Sequence, residues 1–276
     1  VRHHRLVVLH TAPMHAEVVG FHHDRQSVRA HAIVQFVGQH RHRLFLDLRP
    51  AHHPVADARV LGQADQVGML VGQDADPHLA KDRAHVVAAG ALYGGSVTLL
   101  SVSLAKFGIE TTFVDAKQPD AFAAAIKPNT RAIYAESLGN PSMVVLDIAA
   151  IADVAHAHGL PLIIDNTVPS PFLCQPIAFG ADIVVHSATK YLAGHGTTLG
   201  GVIVESGKFP WDNGKFPGMT EPSQGYHGVK FYETFGDFGF TMRCRMESLR
   251  VYGAALSPMS AWQILQGVET LPLRME

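Results

Sequence analysis

The segment HSATKYLAGH, residues 186–195, carries one lysine beside small hydroxyl residues. Lys190 follows Ser187 and Thr189, and these follow the apolar run at 183–185. A primary amine next to hydroxyl donors could bind an aldehyde that also bears a phosphate, because the amine forms a Schiff base and the hydroxyls bind the anion. The alternative is that Lys190 is an ordinary solvated surface lysine.

A carboxylate at the end of a second apolar run could complete such a site. Asp165 ends the run in PLIIDNT. A pyridine-ring cofactor needs a carboxylate that keeps its ring nitrogen protonated, so that the ring can withdraw electrons from the substrate. Asp165 is the candidate for this role, and the alternative is that it caps the segment after it.

The elements that must position these residues begin near His85, where β-branched runs start to alternate with helix-like stretches. Strands are predicted at Glu110–Val114, Arg131–Glu136, Pro161–Asp165, Asp182–His186 and Gly201–Glu205, and helices at Ser96–Lys106, Asp120–Ile126 and Asp147–His158. This alternation predicts an α/β fold with a mostly parallel sheet covered on both faces. Ligands of such sheets bind at the carboxyl ends of the strands, where Asp165 and residues 187–190 both fall.

The bulk composition excludes several classes of protein. The 276 residues are 47% hydrophobic and 17% charged, with a formal net charge of −2, which does not favour nucleic acid or a membrane surface as a partner. The two cysteines, Cys174 and Cys244, form no C-x-x-C pair and are expected to be reduced. We expect a soluble, cytoplasmic protein.

Residues 1–84 differ in composition from the rest of the chain. Thirteen of the 18 histidines lie at or before His85, and the first lysine is Lys81. Three interpretations compete: a histidine-rich metal-binding region, an irregular but real segment, and a translation of the wrong frame or strand of a GC-rich gene. No C-x-x-C or H-E-x-x-H spacing supports a metal site, so we expect none. We favour the third interpretation, and a disordered segment is the alternative.

Three further stretches occur in a recognisable order and spacing: ALYGGS, YAESLGNPSMVVLDIAAIADVAHAHG and DNTVPSPFLCQPIAFGADIVVHSATKYLAGHG. From about Val86 to Glu276 the sequence resembles the pyridoxal-phosphate (PLP) enzymes of cysteine and methionine metabolism. The resemblance implies PLP as cofactor and the large domain of the type I, aspartate aminotransferase-like fold, present incompletely. Residues 85–260 would form the PLP-binding domain, and residues 261–276 would begin a helix linking it to a C-terminal domain that is missing.

The same resemblance implies a role for seven residues. Lys190 would hold PLP as an internal aldimine and move the α-proton of the substrate. Asp165 would pair with the ring nitrogen, and Tyr93, the second expected catalytic residue, would stack on the ring. The remaining contacts would come from Ser187 and Thr189, at the phosphate or in support of the lysine, and from Asn140 and Thr167, on the oxygen side of the ring.

The segment after the lysine resembles one branch of the family. TEPSQGYHGVKFYETFG and GHGTTLGG are similar to the O-acetylhomoserine sulfhydrylase branch. The implied reaction is a γ-replacement in which O-acetylhomoserine and sulfide give homocysteine and acetate. The alternatives are a cystathionine γ-synthase, cystathionine γ-lyase or methionine γ-lyase reaction, and a non-catalytic fragment.

The N-terminal part departs from the family pattern. The stretch QADQVGMLVGQDADPH does not match the Ser-Gly-Met-like turn with which relatives bind the phosphate, and no tyrosine precedes Tyr93. The arginine with which relatives bind the substrate carboxylate is not expected here, since Arg274 falls in the linking helix. We therefore expect weak PLP binding and little turnover by this chain. The resemblance also implies homo-oligomers, dimers or tetramers, for intact relatives.

Overall fold

The structure, a computed structural model, describes residues 31–35, 43–47, 57–61 and 84–276. Nine strands lie in this part of the chain: β1 His31–Gln35, β2 Arg43–Asp47, β3 Asp57–Leu61, β4 His85–Ala89, β5 Glu110–Val114, β6 Thr130–Glu136, β7 Leu162–Asp165, β8 Ile183–Ser187 and β9 Gly201–Glu205. The described α-helices are α1 Gly94–Thr98, α2 Pro119–Ala125, α3 Ile148–Ala157, α4 Ser170–Leu173, α5 Pro217–Thr220, α6 Phe231–Phe235, α7 Gly239–Arg243, α8 Arg250–Tyr252, α9 Pro258–Glu269 and α10 Leu271–Met275.

Seven of these strands form one mixed sheet, in the order β3-β9-β8-β7-β6-β4-β5. The five strands from β8 to β5 run parallel, and β9 and β3 extend the sheet through antiparallel pairs. Every residue of β4 and of β8 is buried. Because successive side chains of a strand point to opposite faces, this burial shows that both faces are covered, as predicted.

The bounds of the strands and helices predicted from His85 onward are confirmed within one or two residues, apart from the first helix. Asp147 begins α3 by accepting a hydrogen bond from the Ala150 backbone N–H at 3.1 Å. The first predicted helix, Ser96–Lys106, is instead α1 followed by a π-helical turn at Leu99–Ser103 and a 3-10 turn at Leu104–Phe107. Gly108 ends it with a φ of 81°, a conformation that glycine adopts at little cost.

The first 84 residues lie mostly outside the described part of the chain. Where residues are described, β1 pairs with β2 in a separate antiparallel sheet and β3 pairs with β9. The sequence of these three segments lacks a sustained period and predicts no regular element there. Neither the metal-binding nor the wrong-frame interpretation is tested by these strands. Among the described residues, none of the helices has the length and apolar character needed to span a bilayer.

A buried carboxylate connects β9, the last strand in chain order, to the helices that follow it. Glu205, which is 4% exposed, accepts hydrogen bonds from the backbone N–H groups of Phe240 and Thr241 at 3.2 and 2.9 Å. Burial raises the pKa of Glu205 to about 7, although these hydrogen bonds act in the opposite direction. The folded protein therefore binds a proton here that the unfolded chain, with an ordinary glutamate pKa, has already released.

This shift predicts a pH-dependent stability. The contribution of Glu205 is fully present below the unfolded pKa and is lost as the pH rises through about 7. Between pH 5 and 8 we expect the free energy of unfolding of the unmodified chain to fall by roughly 2 kcal/mol relative to Glu205→Gln. Chemical denaturation at several pH values measures this difference. Parallel curves for the two proteins would contradict the prediction.

Candidate active site

The carboxyl ends of four neighbouring parallel strands bring the predicted site residues to one edge of the sheet. Asp165 ends β7, and Ser187 ends β8, directly before the turn with Lys190. Tyr93 and Asn140 lie in the loops that follow β4 and β6. These strands are neighbours in the sheet, so residues separated by almost a hundred positions meet there.

Asp165 lies deep at this edge with part of its surface accessible. Its Oδ1 accepts hydrogen bonds from the Thr167 N–H at 2.9 Å and the Thr167 hydroxyl at 2.5 Å, and its Oδ2 accepts one from the Tyr134 hydroxyl at 3.4 Å. Burial raises the pKa of Asp165 above its usual range, and the hydrogen bonds from Thr167 offset part of this effect. All three donors are neutral, so a cationic group would find a carboxylate without a charged partner among residues 84–276.

Thr167 links this carboxylate to the lysine strand. Its hydroxyl oxygen donates to Asp165 and also accepts from the Ser187 backbone N–H at 2.7 Å. The Ser187 hydroxyl itself is buried and has no hydrogen-bond partner in the described part of the chain. A buried hydroxyl without a partner is rare in folded proteins, because it costs about 1–3 kcal/mol. Its hydrogen-bonding capacity is therefore unused among the described residues.

Thr189 has a different environment from Ser187. Its hydroxyl donates to the Gly200 carbonyl at 3.3 Å and accepts from the Gly200 N–H at 3.0 Å. These bonds tie the turn after β8 to the start of β9. The role of Thr189 at the phosphate or in support of the lysine stays a prediction.

Lys190 is exposed within a turn that its backbone stabilises. Its N–H donates to the Ser187 carbonyl at 3.1 Å, and its carbonyl accepts from the Gly194 N–H at 2.8 Å. No carboxylate in residues 84–276 forms an ion pair with its side chain. The amine at the strand edge is thus accessible to a reactant.

Arg274 holds the same turn from the C-terminal helices, a contact that sequence reasoning missed. Its guanidinium donates to the carbonyls of Tyr191 and Leu192, at 2.5 and 3.3 Å, and to the Gly267 carbonyl at 2.5 Å. Charge-assisted hydrogen bonds of this kind are among the stronger ones in proteins. The turn that carries Lys190 is therefore fixed against α9 and α10, and no sequence spacing reveals this.

Glu136 is the second residue that sequence reasoning missed. It ends β6, and its carboxylate accepts hydrogen bonds from the backbone N–H groups of Tyr93 at 2.7 Å and Asn140 at 3.2 Å. The Tyr93 side chain is half exposed, with 49% of its surface accessible. Glu136 ends a predicted strand, as Asp165 does. This position at a strand end is the feature of the sequence that could have identified it as a site residue.

These residues fit a cofactor with a protonated ring nitrogen, an aldehyde and a phosphate. Asp165 offers a carboxylate that lacks a cation, Ser187 an unpaired buried hydroxyl, and Lys190 an accessible amine. A parallel α/β sheet with this set at its carboxyl edge defines the class of PLP-dependent enzymes. The chain belongs to the family of Cys/Met metabolism PLP-dependent enzymes, whose sequence model matches residues 62–276. The match thus begins before Val86, the residue from which the motifs in the sequence indicate the family.

Curated relatives agree with this membership. The chain is 54% identical over 199 residues to the O-acetyl-L-homoserine sulfhydrylase of Leptospira meyeri. This alignment covers 69% of this chain and 45% of that protein. It is 42% identical over 226 residues to the homocysteine/cysteine synthase of Saccharomyces cerevisiae, covering 79% of this chain and 51% of that one. The chain thus spans about half the length of the curated relatives it matches.

A solved structure shows the same fold. A Campylobacter jejuni protein described as an O-acetylhomoserine (thiol)-lyase superposes with a TM-score of 0.70 at 36% identity, covering 78% of this chain and 53% of that one. That structure contains a pyridoxyl-lysine phosphate. The predicted fold class, a mostly parallel α/β sheet of the type I PLP-dependent enzymes covered only in part by this chain, is confirmed.

Proposed function

We propose that this chain carries the PLP-binding part of an O-acetylhomoserine sulfhydrylase, which converts O-acetylhomoserine and sulfide into homocysteine and acetate. The observation that carries the proposal is the meeting of Lys190, Asp165 and the unpaired Ser187 hydroxyl at one edge of the sheet. The 54% identity to a sulfhydrylase and the 42% identity to a homocysteine/cysteine synthase support this branch.

The residues of the chain divide the work of holding the cofactor. Lys190 Nζ would bind it covalently, and Asp165 would hold the proton of its ring nitrogen. Thr167 keeps Asp165 oriented through its two hydrogen bonds, and the Ser187 hydroxyl would donate to the phosphate. Tyr93 would cover one face of the ring, and Asn140 and Thr167 would line its oxygen side.

The chemistry of the reaction needs a proton carrier as well as a binding site. When bound, PLP would supply a carbonyl carbon at which the substrate amine replaces the amine of Lys190, and a ring that withdraws electrons from the substrate α-carbon. Lys190 Nζ, once released from the cofactor, would remove the α-proton and return it later in the reaction. The carboxylate of Asp165 has neutral partners only, so its charge is available to keep the ring nitrogen protonated.

The proposal extends to domain organisation, location and assembly. Residues 85–260 would be the PLP-binding domain, and β3, at Asp57–Leu61, would extend its sheet by pairing with β9. The two cysteines, Cys174 and Cys244, are free thiols, which supports a reducing, cytoplasmic location. By analogy with its family, the protein would form homodimers or tetramers and act on small molecules alone.

A product assay tests the function. The chain is incubated with PLP, O-acetylhomoserine and sulfide, and the products are identified by mass spectrometry. Because slow turnover is expected, the chain is used in excess over substrate, with Lys190→Ala as control. We expect homocysteine and acetate from the unmodified chain only. Cystathionine from added cysteine, or an oxoacid with ammonia, would instead identify the alternative synthase or lyase reactions, and equal product from Lys190→Ala would reject the assigned site.

A further inference from the structure

One carboxylate contacts both loops that carry the proposed ring-binding residues. Glu136 Oε1 accepts from the Tyr93 N–H at 2.7 Å, and Glu136 Oε2 accepts from the Asn140 N–H at 3.2 Å. Tyr93, in the loop after β4, lies 43 positions before Glu136 in the sequence. Asn140, in the loop after β6, lies 4 positions after it. The side chain thus joins the carboxyl ends of two neighbouring strands.

The position of Glu136 favours a specific role over general packing. The residue is 7% exposed, and its Cα pairs in register with that of Asp165 on β7. A carboxylate in such a position is costly unless both of its oxygens are hydrogen-bonded, as they are here. Burial raises the pKa of Glu136 to about 7, and the hydrogen bonds from Tyr93 and Asn140 offset part of that effect.

The side chains that this carboxylate would position are themselves open to the site. Tyr93 is 49% exposed, and Asn140 is exposed. The helix after Tyr93 is only five residues long and has no side-chain cap. Neither side chain is embedded in the core, so the place of each depends on its backbone.

We propose that Glu136 is a positioning residue that fixes the backbones of Tyr93 and Asn140, and so sets where both side chains meet the cofactor. The proposal rests on the proposed function for the roles of those two side chains. The two hydrogen bonds that Glu136 accepts are observed independently of the proposed function. The test therefore combines a measurement on the backbone with one on the cofactor.

The variant Glu136→Gln replaces one acceptor oxygen by an NH₂ group that faces a backbone N–H donor. At a pH above the Glu136 pKa of about 7, where the carboxylate is charged, we expect amide hydrogen exchange at Tyr93 or Asn140 to accelerate about tenfold and the dissociation constant of PLP to rise by about tenfold or more, as for loss of a hydrogen bond to a charged group. Glu205→Gln is the matched control. Glu205 also is buried and accepts from two backbone N–H groups, but it lies at the opposite edge of the sheet. That variant should leave PLP affinity unchanged.

A pH titration of the unmodified chain tests whether Glu136 holds the two backbone amides. As the pH falls through about 7, Glu136 takes up a proton and becomes a weaker acceptor. The amide resonances of Tyr93 and Asn140 should therefore shift together with a midpoint near 7. Asp165 faces Glu136 from β7, and Tyr134 lies two residues before it on β6. Loss of the titration in Glu136→Gln, with its persistence in Glu205→Gln, assigns it to Glu136.

The outcomes separate this proposal from the function on which it rests. Faster exchange at either amide with weaker PLP binding in Glu136→Gln supports it. Unchanged exchange at both amides, or unchanged PLP affinity, in Glu136→Gln overturns it. If the unmodified chain binds no PLP, the proposed function fails, and the exchange and titration data alone then decide whether Glu136 holds the two loops.

Discussion

Replacing Lys190 by alanine is expected to abolish covalent attachment of PLP and to reduce turnover by roughly three orders of magnitude or more. The reason is chemical, because alanine has no amine to bind the aldehyde or to carry the α-proton. The fold should survive, since the side chain is exposed and the turn is held by the backbone bonds of Lys190 with Ser187 and Gly194. Borohydride reduction followed by peptide mass spectrometry measures the attachment.

A matched lysine at the other edge of the sheet serves as the control for this experiment. Lys208 is also exposed, and it follows β9 near Glu205, away from the site. Lys208→Ala should retain attachment at the level of the unmodified chain. The prediction fails if Lys190→Ala is labelled as strongly as the unmodified chain, or if the reduced adduct maps to a different lysine.

The second large effect is expected for stability, from Gly267→Ala in helix α9. In an exposed helix interior this change normally stabilises by about 1 kcal/mol, since alanine has the higher helix propensity. Here a Cβ at Gly267 would lie 1.8 Å from the carbonyl oxygen of Ala193 and 2.4 Å from its carbonyl carbon. Both atoms are backbone, so helix and turn must separate. We expect a loss of about 3 kcal/mol, the upper range for overpacking.

The clash at Gly267 also connects stability with the site. Ala193 belongs to the turn after Lys190, and Arg274 donates to the carbonyls of Gly267 and Tyr191 across the same contact. Gly267→Ala should therefore lower PLP attachment as well as the free energy of unfolding. Urea denaturation and limited proteolysis of the C-terminal helices measure the stability, with Gln266→Ala, on the exposed face of α9, as the control. If Gly267→Ala instead stabilised the protein by the amount that helix propensity predicts, the close contact between Gly267 and Ala193 would be contradicted.

The local elements were readable in the sequence because each depends on nearby residues. Apolar runs bounded by polar residues predicted β5 and β9 at their observed bounds, and Asp147 and Gly108 were placed correctly as helix signals. The change from α to π and 3-10 turns within 99–107 was not predicted. Periodicity reports which face of a helix is apolar, whereas the hydrogen-bond register within a turn depends on packing.

The sequence by itself determined the family, the cofactor class and the strand ends that carry Lys190 and Asp165. Those residues belong to contiguous motifs, and the parallel topology then requires that the strand ends meet. Only the tertiary structure decided which groups hold them: Thr167 between Asp165 and Ser187, Glu136 beneath Tyr93, and Arg274 across the lysine turn. The reason is physical. Arg274 reaches the carbonyl of a residue 83 positions away, and a contact with a backbone carbonyl leaves no mark on the type of residue that provides it.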